Sequence, residues 1–245
     1  MSCVPLVQKS PYKMDSFPRG HALILNNTKF DESSDREGGD VDLDNMEALF
    51  EGLSFKTYKL KNKTAQKIKD KIEAFSKRRE HDKMDCCIVV LMSHGSKDVI
   101  MGKDDEPVQL DDIFTMFDNK NCPRLKGKPK LFFIQACRGE KVDKGVAAPE
   151  DKDDSPGTNL NTDLEALLSK LLQKTTSKEN RLEEDEADGP EKIPTRTDML
   201  CCYATQLEHK AFRGDKHGSW FIQAITKVFM EHAKDNSIHE MMAKT

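Results

Sequence analysis

Short apolar runs at residues 22–25, Cys86–Met92, 131–134 and 199–204 alternate along the 245-residue chain with segments whose apolar residues recur at helical spacing. Strands alternating with helices argue for an α/β fold, a mostly parallel central sheet with helices on both faces. The first run is flanked by Pro18-Arg19-Gly20 and Asn26-Asn27, which suits a buried strand. Leu43, Met46, Leu49, Phe50 and Leu53 then mark a helix, with Asp40 or Asp42 near its start and Gly52 near its end. A short strand at 55–60 precedes a second helix marked by Ala65, Ile68, Ile72 and Phe75, whose lysine-rich side reads as a solvated face. The unbroken run Cys86–Met92 predicts a central strand. Residues 99–110 predict a small hairpin turning near Lys103-Asp104-Asp105, 111–117 a short helix, Trp220–His232 a longer one and 238–242 a last one.

Chemistry concentrates just past two of these runs. Gln135-Ala136-Cys137-Arg138-Gly139 follows the strand at 131–134, and Ser93-His94-Gly95 follows Cys86–Met92. Adjacent strand ends would bring a thiol and an imidazole together where loops carry chemistry on an α/β sheet. A thiol attacks a peptide carbonyl as thiolate, and a neighbouring imidazole raises the thiolate fraction and later protonates the leaving amine. Cys137 and His94 supply that pair. Gly95 lets a loop N–H approach the developing oxyanion, alongside the N–H of Cys137. A lone cysteine at a strand end is more commonly a packing residue, and the surrounding pentapeptide is what reverses the reading.

Composition narrows the alternatives. Hydrophobic residues are 36% and charged residues 33% of the chain, and the excess of charge falls in residues 140–192, with fifteen Asp and Glu against eight Lys and Arg. That segment carries −7 of a total of −4, so the rest is about +3 and gives no basic footprint for nucleic acid. Within it Leu164, Leu167, Leu168, Leu171 and Leu172 stand at helical spacing, a candidate helix at 163–173 that folds back or docks on a partner. The cysteines are Cys3, Cys86, Cys87, Cys122, Cys137, Cys201 and Cys202, with two adjacent pairs and no CxxC. This opposes a zinc or redox protein and implies a reducing compartment, with no metal and no cofactor. Without a leader-like start or an apolar stretch near about 18 residues, the expectation is a cytoplasmic protein with no membrane contact.

The motifs carry a family resemblance. Gln135 to Gly139 with Ser93-His94-Gly95, together with residues 36–42, 194–198 and 218–223 in the same order, resembles the caspases, the aspartate-specific cysteine proteases, from about Tyr12 onward. Residues 18–20 and 121–130 are similar to the nematode death protease and initiator-type members. The resemblance implies the caspase-like three-layer sandwich, cleavage after aspartate, and a part in apoptosis. It assigns substrate binding to Arg36, Gln135 and Arg213, with Phe212 lining a further subsite and Lys210 standing where an aromatic is common. Arginine suits the task, since its planar fork neutralises a carboxylate through paired hydrogen bonds.

The resemblance also implies a zymogen, divided into a short segment 1–17, a large subunit 18–153, an acidic linker 154–192 and a small subunit 193–245 that is C-terminally incomplete. Asp188, before Gly189, is the first expected cleavage site, with Asp154 and Asp163 as alternatives. The partners implied are protein substrates bearing aspartate at the cleavage site, other caspases or an activating caspase, a homodimer, and inhibitor proteins. The early stop leaves a second expectation open, a truncated, non-catalytic isoform acting as a regulator.

Overall fold

A computed structural model describes residues 12–145 and 193–245. The chain divides into a unit formed by residues 1–143 and 194–245 and a second at 144–193, and the elements below belong to the first. Cys3, the candidate helix at 163–173 and the expected cleavage sites Asp154, Asp163 and Asp188 lie outside the described residues.

The elements run β1 (Gly20–Asn26), α1 (Gly39–Gly52), β2 (Phe55–Lys61), α2 (Ala65–Ser76), β3 (Cys86–Met92), β4 (Gly95–Ser96), β5 (Val99–Met101), β6 (Pro107–Gln109), α3 (Leu110–Thr115), β7 (Lys130–Gln135), β8 (Met199–Tyr203), β9 (Arg213–Gly214), β10 (Gly218–Ser219), α4 (Trp220–His232) and α5 (Ile238–Ala243). Five strands form a parallel sheet in the order β2-β1-β3-β7-β8. From β1 the chain passes first to one side, into β2, and then to the other, into β3. That reversal is a topological switch point, and open α/β sheets bind ligands beyond the carboxyl ends of the strands at such points.

Side-chain alternation builds a core on each face. Leu23, Leu25, Val89, Leu91, Phe132 and Ile134 pack with Ile68, Ile72 and Phe75 of α2 and Ile113 of α3. Ala22, Ile24, Ile88, Val90 and Phe133 pack with Leu43, Met46 and Phe50 of α1 and Ile222, Ile225 and Phe229 of α4. Each such side chain contributes roughly 1.5–3 kcal/mol by leaving water. Adjacent Cys86 and Cys87 point to opposite cores, as successive strand residues must.

Helix starts differ in their chemistry. The Thr64 hydroxyl caps α2, and Asp104 from the β5–β6 hairpin accepts the Ala65 N–H at 2.9 Å. No side chain caps α1, which begins after Gly38 at φ 78°. Asp40 stays on the surface, paired with Lys61 at 2.9 Å, and Asp42 turns inward to a different partner.

Two outcomes lie beyond the periodicity. The expected hairpin at 99–110 is three-stranded, because Gly95 and Ser96 add β4. Lys130 at the start of β7 is buried, its ammonium donating to the carbonyls of Leu125 at 3.0 Å and Lys128 at 3.1 Å.

Candidate active site

Register places the two chemical motifs side by side. Met92 pairs with Gln135 across β3 and β7, and His94 and Cys137 each lie two residues beyond that pair. The Ser93 N–H donates to the Gln135 carbonyl at 3.3 Å, the Ser93 hydroxyl donates to the Met101 carbonyl at 2.6 Å, and the Met101 N–H returns to the His94 carbonyl at 2.9 Å. The histidine backbone is thus tied to both the next strand and the hairpin. An ideal Cβ on Gly95 would lie 2.6 Å from the Val99 carbonyl oxygen, 2.9 Å from Ala136 Cβ and 3.2 Å from the Cys137 carbonyl oxygen. Only glycine lets this loop lie against the Ala136-Cys137 segment.

The His94 ring is held on two sides. Phe30 packs on it with ring centroids 4.5 Å apart, and Nε2 lies 2.8 Å from the Ser34 carbonyl. A carbonyl only accepts, so Nε2 carries the proton and Nδ1 is left as the basic atom. Burial lowers the pKa of His94, and the Arg36 and Arg213 charges lower it further, against the Ser34 bond and Asp105. The imidazole is therefore neutral near pH 7, as a base must be.

Cys137 is partly exposed and free. The charges of Arg36 and Lys210 reach its sulfur. Burial pushes the other described thiols up, Cys86 and Cys202 to about 12 and Cys201 to about 11, with Cys87 and Cys122 also raised. Those five are packing residues.

Arg36 is 2% exposed, yet only Nη1 is satisfied, donating to Asn27 O at 2.9 Å and Asn26 Oδ1 at 3.2 Å. Its Nε and Nη2 have no hydrogen-bond partner among the described residues. Burial, and then the nearby charge of Arg213, lowers its pKa to about 10. Arg213 in β9 donates Nε to the Glu37 carbonyl at 2.7 Å. Gln135 is likewise buried, with Oε1 unpartnered among the described residues. Two interacting cations and unsatisfied buried polar atoms are costly alone and suit an anionic ligand.

The loop at 206–210 runs beside the segment that follows Cys137. Arg138 N–H donates to His209 O at 2.9 Å, Glu208 N–H to Arg138 O at 3.0 Å and Lys210 N–H to Lys141 O at 2.8 Å. Lys210 pairs with Glu140 at 2.8 Å, and the Arg138 guanidinium sits 4.1 Å over the Tyr203 ring. Phe212 stacks on Trp220 with centroids 5.0 Å apart, and Trp220 is 65% exposed although it opens an otherwise core-facing helix. This aromatic surface adjoins Arg213.

Sequence reasoning missed the residues that support these groups. Asp42 and Ser219 stand inside motifs already singled out, at 36–42 and 218–223, but Asp42 reads there only as a helix-start residue and Ser219 carries no role. Phe30, Ser34 and Asp105 carry no motif signal. No cluster of three metal-ligating side chains occurs among the described residues, and none of their helices is long and apolar enough to cross a membrane.

The family model described as the Caspase domain matches residues 19–245. The chain belongs to the caspase family. It is 39% identical over 242 residues to Caspase-2 of Gallus gallus, covering 97% of this chain and 52% of that protein. It is 33% identical over 253 residues to Cell death protein 3 of Caenorhabditis remanei, covering 97% and 46%. Against Caspase-9 of Homo sapiens the figures are 31% over 245 residues, covering 95% and 56%. The chain thus spans about half the length of these curated relatives.

Proposed function

We propose that this caspase is an aspartate-specific cysteine endopeptidase, made as a zymogen and acting in programmed cell death. The observation that carries the reading is Arg36, buried with two unpartnered guanidinium nitrogens beside Arg213, at the strand ends that hold Cys137 and His94. A substrate aspartate carboxylate would satisfy both cations, with Gln135 as the pocket amide. The likeness to Cell death protein 3 supports the cell-death assignment.

The chemistry uses this chain's own groups. Neutral His94 takes the Cys137 thiol proton at Nδ1, and the thiolate attacks the backbone carbonyl carbon of the bound aspartate, forming a C–S bond while the carbonyl electron pair moves to oxygen. The N–H groups of Gly95 and Cys137 receive that oxyanion. Collapse breaks the C–N bond, and protonated His94 delivers its proton to the leaving amine. Neutral His94 then takes a proton from water, which attacks the thioester and releases the new carboxylate and the thiol.

Maturation divides the chain into a large subunit at 18–153 and a small one at 193–245, with Asp188 cut first in the linker 154–192 and Asp154 and Asp163 as secondary sites. The active species is a homodimer in the cytoplasm, and its partners are aspartate-bearing protein substrates, an activating caspase and inhibitor proteins. The test compares the 245-residue chain, intact and cut at Asp188, with its Cys137→Ala variant on an aspartyl fluorogenic peptide, alongside its mass in solution. Hydrolysis by the cut dimer that vanishes in Cys137→Ala is expected, and Asp188→Ala leaves an uncut band. No hydrolysis by any form overturns the reading.

A further inference from the structure

The loop that supplies the Ser34 carbonyl to His94 has little packing of its own, since residues 31–35 are all exposed. Hydrogen bonds to the tip of the β5–β6 hairpin hold it instead. The Asp31 N–H donates to the Lys103 carbonyl at 2.8 Å, and the Lys103 ammonium pairs with the Asp31 carboxylate at 3.0 Å. One carboxylate oxygen of Asp105 accepts the Glu32 N–H at 2.9 Å and the Ser33 N–H at 3.3 Å. The next residue is Ser34, whose carbonyl meets His94 Nε2 at 2.8 Å.

Asp105 itself sits at φ 57°, a left-handed conformation that glycine adopts freely and other residues adopt at a cost. Aspartate tolerates this conformation, and here its carboxylate reaches beyond the hairpin to the backbone of residues 32 and 33. We propose that Asp105 is a positioning residue for His94, fixing the Ser34 carbonyl so that Nε2 holds the proton and Nδ1 faces its task as base. The proposal rests on the peptidase reading above for its kinetic consequence, though not for its structural one. Charge supports the geometry: Asp105 acts on His94 as an acidic group, opposed by the charges of Arg36 and Arg213.

Two variants of the full chain separate turn from anchor. Asp105→Gly suits φ 57° and removes the carboxylate, so the hairpin keeps its thermal midpoint while Ser34 loses its anchor. Its kcat on an aspartyl peptide should fall about tenfold with KM within about twofold, as expected for a small misplacement of a catalytic group. Loss of the negative charge also shifts the acid limb of the rate profile to lower pH. Asp105→Asn keeps an acceptor oxygen without the charge, so it should recover most of kcat and retain the shifted limb.

Nitrogen NMR of His94 in the Cys137→Ala chain reads the tautomer without turnover: a single Nε2–H form is expected, and a mixture after Asp105→Gly. An unchanged tautomer in Asp105→Gly overturns the proposal, as does an unchanged kcat in a chain that is active. If the chain hydrolyses no aspartyl peptide, the peptidase reading fails and the tautomer measurement alone decides the role of Asp105.

Discussion

Asp42 and Ser219, 177 residues apart in sequence, are joined by two hydrogen bonds: Asp42 Oδ1 accepts the Ser219 N–H at 2.6 Å, and Oδ2 accepts the Ser219 hydroxyl at 2.5 Å. Both residues are fully buried. Gly218 makes room at φ 79°, where a Cβ would lie 2.3 Å from the Asp42 carboxylate. Burial raises the pKa of Asp42, while its two Ser219 bonds and the charges of Arg36 and Arg213 lower it. One carboxylate thus fastens the start of α1 to the start of α4 and lies among the cations of the candidate pocket.

Removing that carboxylate strands two buried donors. Asp42→Ala should cost about 2–4 kcal/mol, because orphaned buried groups lose more than an average hydrogen bond contributes. Urea unfolding measures this as a lower midpoint at unchanged slope. A loss below about 0.5 kcal/mol would mean that the link carries no load.

Arg213 is the exposed-side member of the cation pair, and lysine there would keep the charge while losing the planar fork. Arg213→Lys should lower kcat/KM on aspartyl peptides by about two orders of magnitude with little change in thermal midpoint. Steady-state kinetics against a melting curve separate the two. Near-normal turnover would remove Arg213 from the pocket.

Gly95 has no space for a side chain between the Val99 carbonyl and Ala136. Gly95→Ala forces His94 and the nucleophile segment apart, and the expected result is a kcat loss of about 10²-fold with roughly 1–3 kcal/mol of stability. A variant as active as the parent would show that the loop yields freely.

A pair of buried histidines outside the site sets the acid stability. His21 in β1 and His81 stand with ring centroids 5.4 Å apart, and burial, then the proximity of His81, lowers the pKa of His21 to about 4. A lowered folded pKa means that the stabilisation is complete above the unfolded value near 6.5 and is lost as pH falls through about 4. That loss approaches about 3 kcal/mol. His21→Phe should flatten this part of the stability profile, measured as urea midpoints between pH 7 and 4, and an equally steep profile would place the titration elsewhere.

The sheet was legible because buried parallel strands need unbroken apolar runs, and Cys86–Met92 and Trp220–His232 have the bounds that the runs predict. Motif order singles out Cys137, His94, Arg36, Gln135 and Arg213, whose roles are those proposed above. Contacts closed by tertiary register left no trace in periodicity. The two-residue strands β9 and β10 are too short to show a pattern, and the buried charge of Lys130 is satisfied by carbonyls of a turn whose course no pattern reveals. Trp220 opens α4 and stacks outward on Phe212, a contact that the helical spacing does not reveal.

The central claim is that Arg36 and Arg213 receive a carboxylate next to the Cys137–His94 pair. The most direct measurement is kcat/KM of the chain cut at Asp188 on two peptides that differ only by aspartate or asparagine at the cleavage position. The account predicts a preference for aspartate of at least about 10³-fold, since asparagine brings no charge to the buried Arg36 and its neighbour Arg213. Equal rates on the two peptides would contradict it.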